Sequence, residues 1–259
     1  MPFTFSHPAI VLPVTYLPKK WYSLSGLIFG SMTPDFEYFI RMKDYSKYSH
    51  TWDGLFWFDV PLGLILIFIF HNVVRDILIG YLPFSLNIRF SSFAKFNWNK
   101  YFQHNIIVVL ISLIVGIASH IFWDRFTHST GYFFHNIPFL NERINILNYQ
   151  VDGASVLQYV SSVIGGIVML IVVFKLPEGH NTKQDNILNF WLLVSLVMIS
   201  VVNVRLYLDT LLNHHQHEDI IVTVISGALI GITALSFFLK ESHKRKRKVY
   251  KRLNKMRNK

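Results

Sequence analysis

The chain has 259 residues, of which 52% are hydrophobic, 16% aromatic and only 15% charged, well below the roughly 25% charged residues of an ordinary soluble domain. Its formal net charge is +10, but eleven of the 25 Lys and Arg residues lie at or after Lys240, in the run KESHKRKRKVYKRLNKMRNK. The basicity is therefore local, which argues against a nucleic-acid-binding domain. Cysteine is absent, excluding disulfides and thiolate metal sites and leaving His, Asp and Glu as the strong side-chain ligands.

Taken in chain order, the opening MPFTFSHPAIVLPV lacks the basic n-region and small-residue cleavage site of a secretory signal and is read as mature sequence. The stretch LSGLIFGSM at 24–32 is apolar but too short to cross a bilayer, and Lys19 and Lys20 bar its extension. A re-entrant or interfacial segment is expected there. The first predicted span, 54–70 (GLFWFDVPLGLILIFIF), is slightly short and carries Asp59 and Pro61, both costly in lipid unless they face protein or water. Four further windows, 105–123, 154–174, 186–204 and 220–239, are free of charge over a length that spans about 30 Å of hydrocarbon.

The expected fold class is all-α: a polytopic membrane helix bundle with about five transmembrane helices, or six if the N-terminal segment crosses, and a His/Asp cluster at one membrane face. Residues 1–240 are expected to form a single integral-membrane domain and 241–259 a basic tail, helical or disordered. Lys and Arg alternate between connections, with Arg75, Arg89, Lys95 and Lys100 between the first two spans and none from Asp209 to Asp219. The positive-inside rule then puts the tail on the cytoplasmic side of a bacterial inner membrane, against anionic lipid headgroups. Against that orientation, Lys19, Lys20, Arg41, Lys43 and Lys47 would lie outside. Gly165–Gly166 and the Gly227, Gly231 pair read as positions of close helix packing.

The polar residues gather at span ends. His50 precedes the first span, and His120, Asp124 and His128 close the second in SHIFWDRFTH; an antiparallel hairpin brings these together. The i to i+4 spacing of His120, Asp124 and His128 puts them on one helical stripe, where imidazole nitrogen and carboxylate oxygen can meet one Zn²⁺. Further donors are available from His7 in TFSHPAI and Asp35 in GSMTPDFE, beside turns marked by Pro8 and Pro34. The bland alternative treats His120 as an interfacial residue bonded to a carbonyl, with Asp124 paired to Arg125. Asp59 and Asp53 are candidate pocket residues, although Asp53 also suits a helix N-terminus. HHQH at 214–217 reads more simply as a solvated turn than as a metal site. Trp52, Trp57, Trp98, Trp123 and Tyr132 fit an aromatic belt. No GxSxG, phosphate-binding loop or dinucleotide fingerprint is present.

The segments MPFTFSHPAIVLP, GSMTPDFEYFIRM, SHTWDGLFWFDVPLG and SHIFWDRFTHSTGYF resemble one bacterial membrane-protein family, domain of unknown function 4184, over most of the chain. More loosely, the chain is similar to the YdjM-like inner-membrane proteins described as metal-dependent hydrolases, through an N-terminal His, a PD motif and SHxxxDxxT. That resemblance implies roles for His7, Asp35, His120, Asp124 and Thr127. One departure is Tyr159 in VLQYVSS, where the family carries a His after the Gln; if that His is a ligand, its loss weakens the site.

The leading reading is a membrane-embedded hydrolase using a divalent metal, zinc, on a phosphoester or similar bond in a lipid or envelope component. His7, Asp35, His50, His120, Asp124 and His128 supply ligands, and Glu37 and Asp124 are the catalytic carboxylates. The alternative is a non-enzymatic membrane protein, a transporter or assembly factor, whose polar cluster lines a path or binds a partner. A second alternative makes the basic tail the functional part, as a lipid or nucleic-acid tether.

Overall fold

The computed structural model describes residues 3–94, 96–129, 131–146, 149–182, 186–211 and 219–257. A short helix, α1 (Leu24–Met32), precedes the long helices α2 (Trp52–Tyr81), α3 (Ile106–Thr127), α4 (Gly153–Lys175), α5 (Ile187–Leu211) and α6 (Asp219–Arg257). Each of α2 to α6 contains a stretch long and apolar enough to cross a membrane, five among the described residues. They match the five predicted windows, each extended at one end or both. The remaining regular structure includes short helices and one hairpin, β1 (Arg143–Ile146) and β2 (Tyr149–Asp152), antiparallel with Arg143 opposite Asp152.

Exposed aliphatic side chains explain why water is the wrong solvent for these helices. Val163, Ile164, Ile167 and Leu170 of α4, and Leu188, Leu192, Leu196 and Ile199 of α5, are all exposed. A continuous apolar surface of this kind is stable only against hydrocarbon or another apolar partner.

The chain forms two compact units. The first comprises Met1–Glu37, Tyr45–Ile67 and Asn97–Lys175; the second comprises Tyr38–Asp44, Phe68–Phe96 and Leu176–Lys259. In the second, α5 packs on α6: added methyls at Gly227 and Gly231 would meet Met198 and Val194 at 3.0 and 3.1 Å, as the sequence predicts for that pair. Tyr81 stacks on Phe190 with ring centroids 4.4 Å apart, and the Trp191 indole donates to the Tyr81 carbonyl at 2.8 Å.

The first unit is organised by α1 lying against α3. Ser23 caps α1 by accepting from Gly26 N–H at 3.3 Å, and its own N–H donates to the Ser112 hydroxyl at 2.8 Å. Eight residues on, the Ser31 carbonyl accepts from His120 Nδ1 at 2.7 Å. The two helices therefore run parallel and in step, with Ser112, Gly116, His120 and Asp124 forming one i to i+4 stripe on α3 that faces α1. Glycines permit the approach: a Cβ at Gly30 would strike the Leu113 carbonyl oxygen, and one at Gly116 the Leu27 carbonyl. The segment expected to be re-entrant or interfacial is thus a helix seated on a spanning one. Gly165 packs against Ser6 of the N-terminal turn, not against another helix, and Gly166 meets nothing within 4 Å. Close helix packing at that pair is not what the structure has.

Candidate metal centre

Three segments of the first unit converge on α3. The N-terminal turn Thr4–Ser6 leads into His7, which precedes the short helix Pro8–Val11. After α1 a tight 3₁₀ turn, Thr33–Asp35, presents Asp35; Pro34 pre-sets its backbone. A loop before α2 presents His50, and α3 itself presents His120 and Asp124. His7, Asp35 and His120 are at most 5% exposed, and Asp124 is 7% exposed.

Their donor atoms face one another. His50 Nε2 lies 3.4 Å from Asp35 Oδ1 and 3.3 Å from Asp124 Oδ2. His120 Nε2 lies 3.5 Å from Asp35 Oδ1, 3.3 Å from Asp124 Oδ2 and 3.3 Å from His50 Nε2. His7 stacks on His120 with ring centroids 3.8 Å apart, its Nε2 being 4.0 Å from Asp124 Oδ1. Two overlapping triads, His7/Asp35/His120 and His50/His120/Asp124, each offer donor atoms that all lie within 4.8 Å of one another.

These separations suit a cation. Donors held at about 2.1 Å from a tetrahedral ion stand about 3.4 Å apart. Both oxygens of Asp35, Asp124 Oδ1 and His7 Nε2 are buried without a hydrogen-bond partner, a costly state for polar atoms that an ion would relieve. The outer shell is also in place. The Ser31 carbonyl takes the Nδ1 proton of His120, fixing the tautomer whose Nε2 lone pair points into the cluster. The Ser49 hydroxyl holds His50 Nδ1 at 2.9 Å. The residues present therefore fit a divalent metal held by nitrogen and oxygen.

Electrostatics outside the spanning helices agree. Burial pushes the His7 imidazole down to about 3, and the neighbouring His120 adds to this, so His7 is neutral at physiological pH. Burial alone would raise Asp35, but the facing His120 and His50 outweigh it and hold the carboxyl well below its ordinary value. Burial alone would lower His50, yet the Asp124 and Asp35 carboxylates beside it carry it above its ordinary value. The ionised carboxylates thus demand positive charge between them, met by a proton or by a metal ion.

Glu37, expected to take a proton from a bound water, is engaged elsewhere. Its Oε1 accepts from Lys47 N–H at 2.9 Å, and Oε2 from Tyr48 and Ser49 N–H at 2.9 and 2.7 Å. The buried carboxylate clamps the loop that ends in His50, whose backbone is left-handed at φ 61°. That conformation costs of order 1 kcal/mol or more and persists only when its surroundings impose it. Glu37 thus sets the position of His50.

His128 sits at the edge, its Nδ1 3.8 Å from Asp124 Oδ1 and 3.3 Å from the Asp124 carbonyl, outside both triads. Asp59 is fully buried with neither oxygen hydrogen-bonded, in electrostatic range of His50, His120, Glu37 and Asp35. It closes a π-helical turn, Leu55–Asp59, a distortion frequent at functional sites. Asp53 is exposed in the first turn of α2, where Thr51 is the cap; it is a helix-terminal residue. Tyr159 is exposed and belongs to neither triad. The histidines at 214–217 lie outside the described residues. The Ser31 carbonyl, the Glu37 clamp and the α1–α3 contact are not predicted from the sequence, although Gly26 and Gly30 in LSGLIFGSM carry the small-xxx-small signal of close packing.

Fold and site together define a class: a multi-helix protein of membrane-spanning character with a buried His/Asp cluster able to hold a metal ion. The chain belongs to the family described as Domain of unknown function (DUF4184), which it matches over residues 1–237. No curated protein and no solved structure matches it.

Proposed function

We propose that this protein is a membrane-embedded metal-dependent hydrolase, with zinc held by His7, Asp35, His50, His120 and Asp124, acting on a phosphoester or similar bond in a lipid or envelope component. One observation carries the reading: two imidazole Nε2 atoms 3.3 Å apart, each within 3.5 Å of two buried carboxylates. The all-nitrogen-and-oxygen donor set suits zinc in a chain without cysteine. Such an ion supplies Lewis acidity and a bound water acidic enough to ionise near neutral pH. Around it, Ser31 and Ser49 orient the imidazoles, and Glu37 holds the His50 loop. Asp124 Oδ1, free of hydrogen bonds and facing His7, is the group that accepts a proton from the attacking water. His128, partly exposed beside Asp124, borders the entrance.

The cationic run after Lys240 supports a bacterial inner-membrane location with the C-terminus in the cytoplasm, where it would meet anionic headgroups. We treat it as a tail separate from the membrane domain of residues 1–240, so its deletion should leave the metal in place.

Elemental analysis of detergent-purified protein tests the proposal. Stoichiometric divalent metal is expected in the wild type and none in His120→Ala. Metal-free wild type that carries substrate flux in proteoliposomes would instead establish the transporter reading.

A further inference from the structure

Beside the donor cluster lies a groove of about 380 Å³. His7 lines one part of it; Ala9 and Ile10 of the N-terminal segment and Trp123 of α3 line others. Along α4, Leu157, Ser161, Ile164 and Val168 recur at three- and four-residue spacing and so form one wall. The lining is apolar apart from His7, two serines and the Trp123 indole N–H, which already donates to Ser161 at 3.3 Å. His7 is the polar end: its buried Nε2 has no hydrogen-bond partner and belongs to the triad with Asp35 and His120.

Three features point to the occupant. The groove lies on a helix of spanning length that is almost wholly unburied, and its wall residues Val160 and Ile164 are 48% and 57% exposed. In a bilayer such residues meet hydrocarbon. The volume matches that of about a dozen water molecules, room for one chain and not for both chains of a lipid. A purely polar substrate would leave this apolar wall unused while paying to desolvate its own groups. We propose that the groove seats one hydrocarbon chain of the substrate, an amphiphile that presents its phosphoester to the donor cluster from the His7 side. This rests on the hydrolase reading for the fate of the ester, but the seat for the chain does not depend on metal.

The test uses the full chain in nanodiscs of saturated phosphatidylcholine, with dodecyl phosphate brominated at mid-chain as the probe. Bromine quenches indole fluorescence on contact, and the share due to Trp123 is the part missing from Trp123→Phe. That share is expected in the wild type and is expected to be lost in Ala9→Phe and in Val168→Phe, which fill the groove from two different elements. Val168→Phe should keep the wild-type metal content. A probe that leaves Trp123 unquenched in the wild type, or a Trp123 share that survives the filling substitution in each folded variant, overturns the proposal. The expected pattern in a protein found to hold no metal supports the seat while removing the hydrolase reading, so the two fail separately.

Discussion

Two clusters of buried charge, one in each unit, differ in how their carboxylates are satisfied. In the second unit Arg205 bonds Asp209 one helical turn on and reaches Asp219 at 3.8 Å. Asp219 Oδ1 also accepts from Asp44 N–H at 2.8 Å, and the residue opens α6, where the helix dipole favours negative charge. Among the described residues, Asp35 and Asp124 of the first unit face imidazoles rather than arginine or lysine, and three of their four oxygens lack a hydrogen bond. Arg205 gives the second unit's carboxylates a permanent counter-charge without a ligand, with Asp219 Oδ2 buried and not hydrogen-bonded. Imidazoles can be neutral, so the first unit's carboxylates have their counter-charge only when a proton or metal ion supplies it.

The largest effect that would break this contrast is metal dependence. At a thousandfold excess over its Kd, a metal that binds only the folded state adds about 4 kcal/mol of stability. Metal-free protein should therefore melt well below the Zn²⁺-loaded form, and a chelator should reverse the gain. A melting temperature indifferent to both would make the His/Asp cluster as self-sufficient as the arginine one.

Next in size, Arg205→Ala strips the counter-charge from two carboxylates and should destabilise the protein by about 3 kcal/mol. Metal per chain should not change. Denaturation in detergent gives the first quantity and elemental analysis the second; loss of metal in this variant would show that the clusters are not independent.

Packing separates the units in the same way. An alanine methyl at Gly30 collides with the Leu113 carbonyl, which backbone cannot move to avoid, whereas at Gly231 it meets Val194 at 3.1 to 3.4 Å. Gly30→Ala should cost about 2 kcal/mol and, by moving α1 off α3, weaken metal binding. Gly231→Ala should stay within about 1 kcal/mol, because gained helix propensity offsets the tight contact. Equal melting temperatures for the two variants would remove the assigned role of the α1–α3 approach.

How much of this was legible in the sequence follows from the range of each interaction. Spans are properties of contiguous runs, so all five windows coincide with helices. The stripe of His120 and Asp124 is equally local, and His7 and Asp35, expected beside turns, and His50, expected just before the first span, do lie against it. What escaped prediction is long-range and carried by backbone. Nothing in the residue Ser31 announces that its carbonyl will orient His120, and nothing in PDFE reveals that Glu37, two residues beyond Asp35, takes the loop at 47–49. Gly166 misled for the converse reason: a small residue permits close approach without requiring it.

Glu37 offers the finest discrimination, because the sequence and the structure give it opposite roles. As a base, Glu37→Gln would bind metal normally and lose about 10²- to 10⁴-fold in turnover. As the clamp on the His50 loop, it accepts three backbone N–H bonds. An amide cannot accept all three, since its NH₂ opposes one side of the loop. His50 then loses support for its left-handed backbone, and metal affinity should fall about tenfold or more, the usual penalty for losing an outer-shell partner. Turnover per bound metal should stay close to wild type once metal is saturating. Metal titration followed by hydrolysis of an alkyl phosphate at saturating Zn²⁺ separates the two; full affinity with collapsed turnover would return Glu37 to the chemistry.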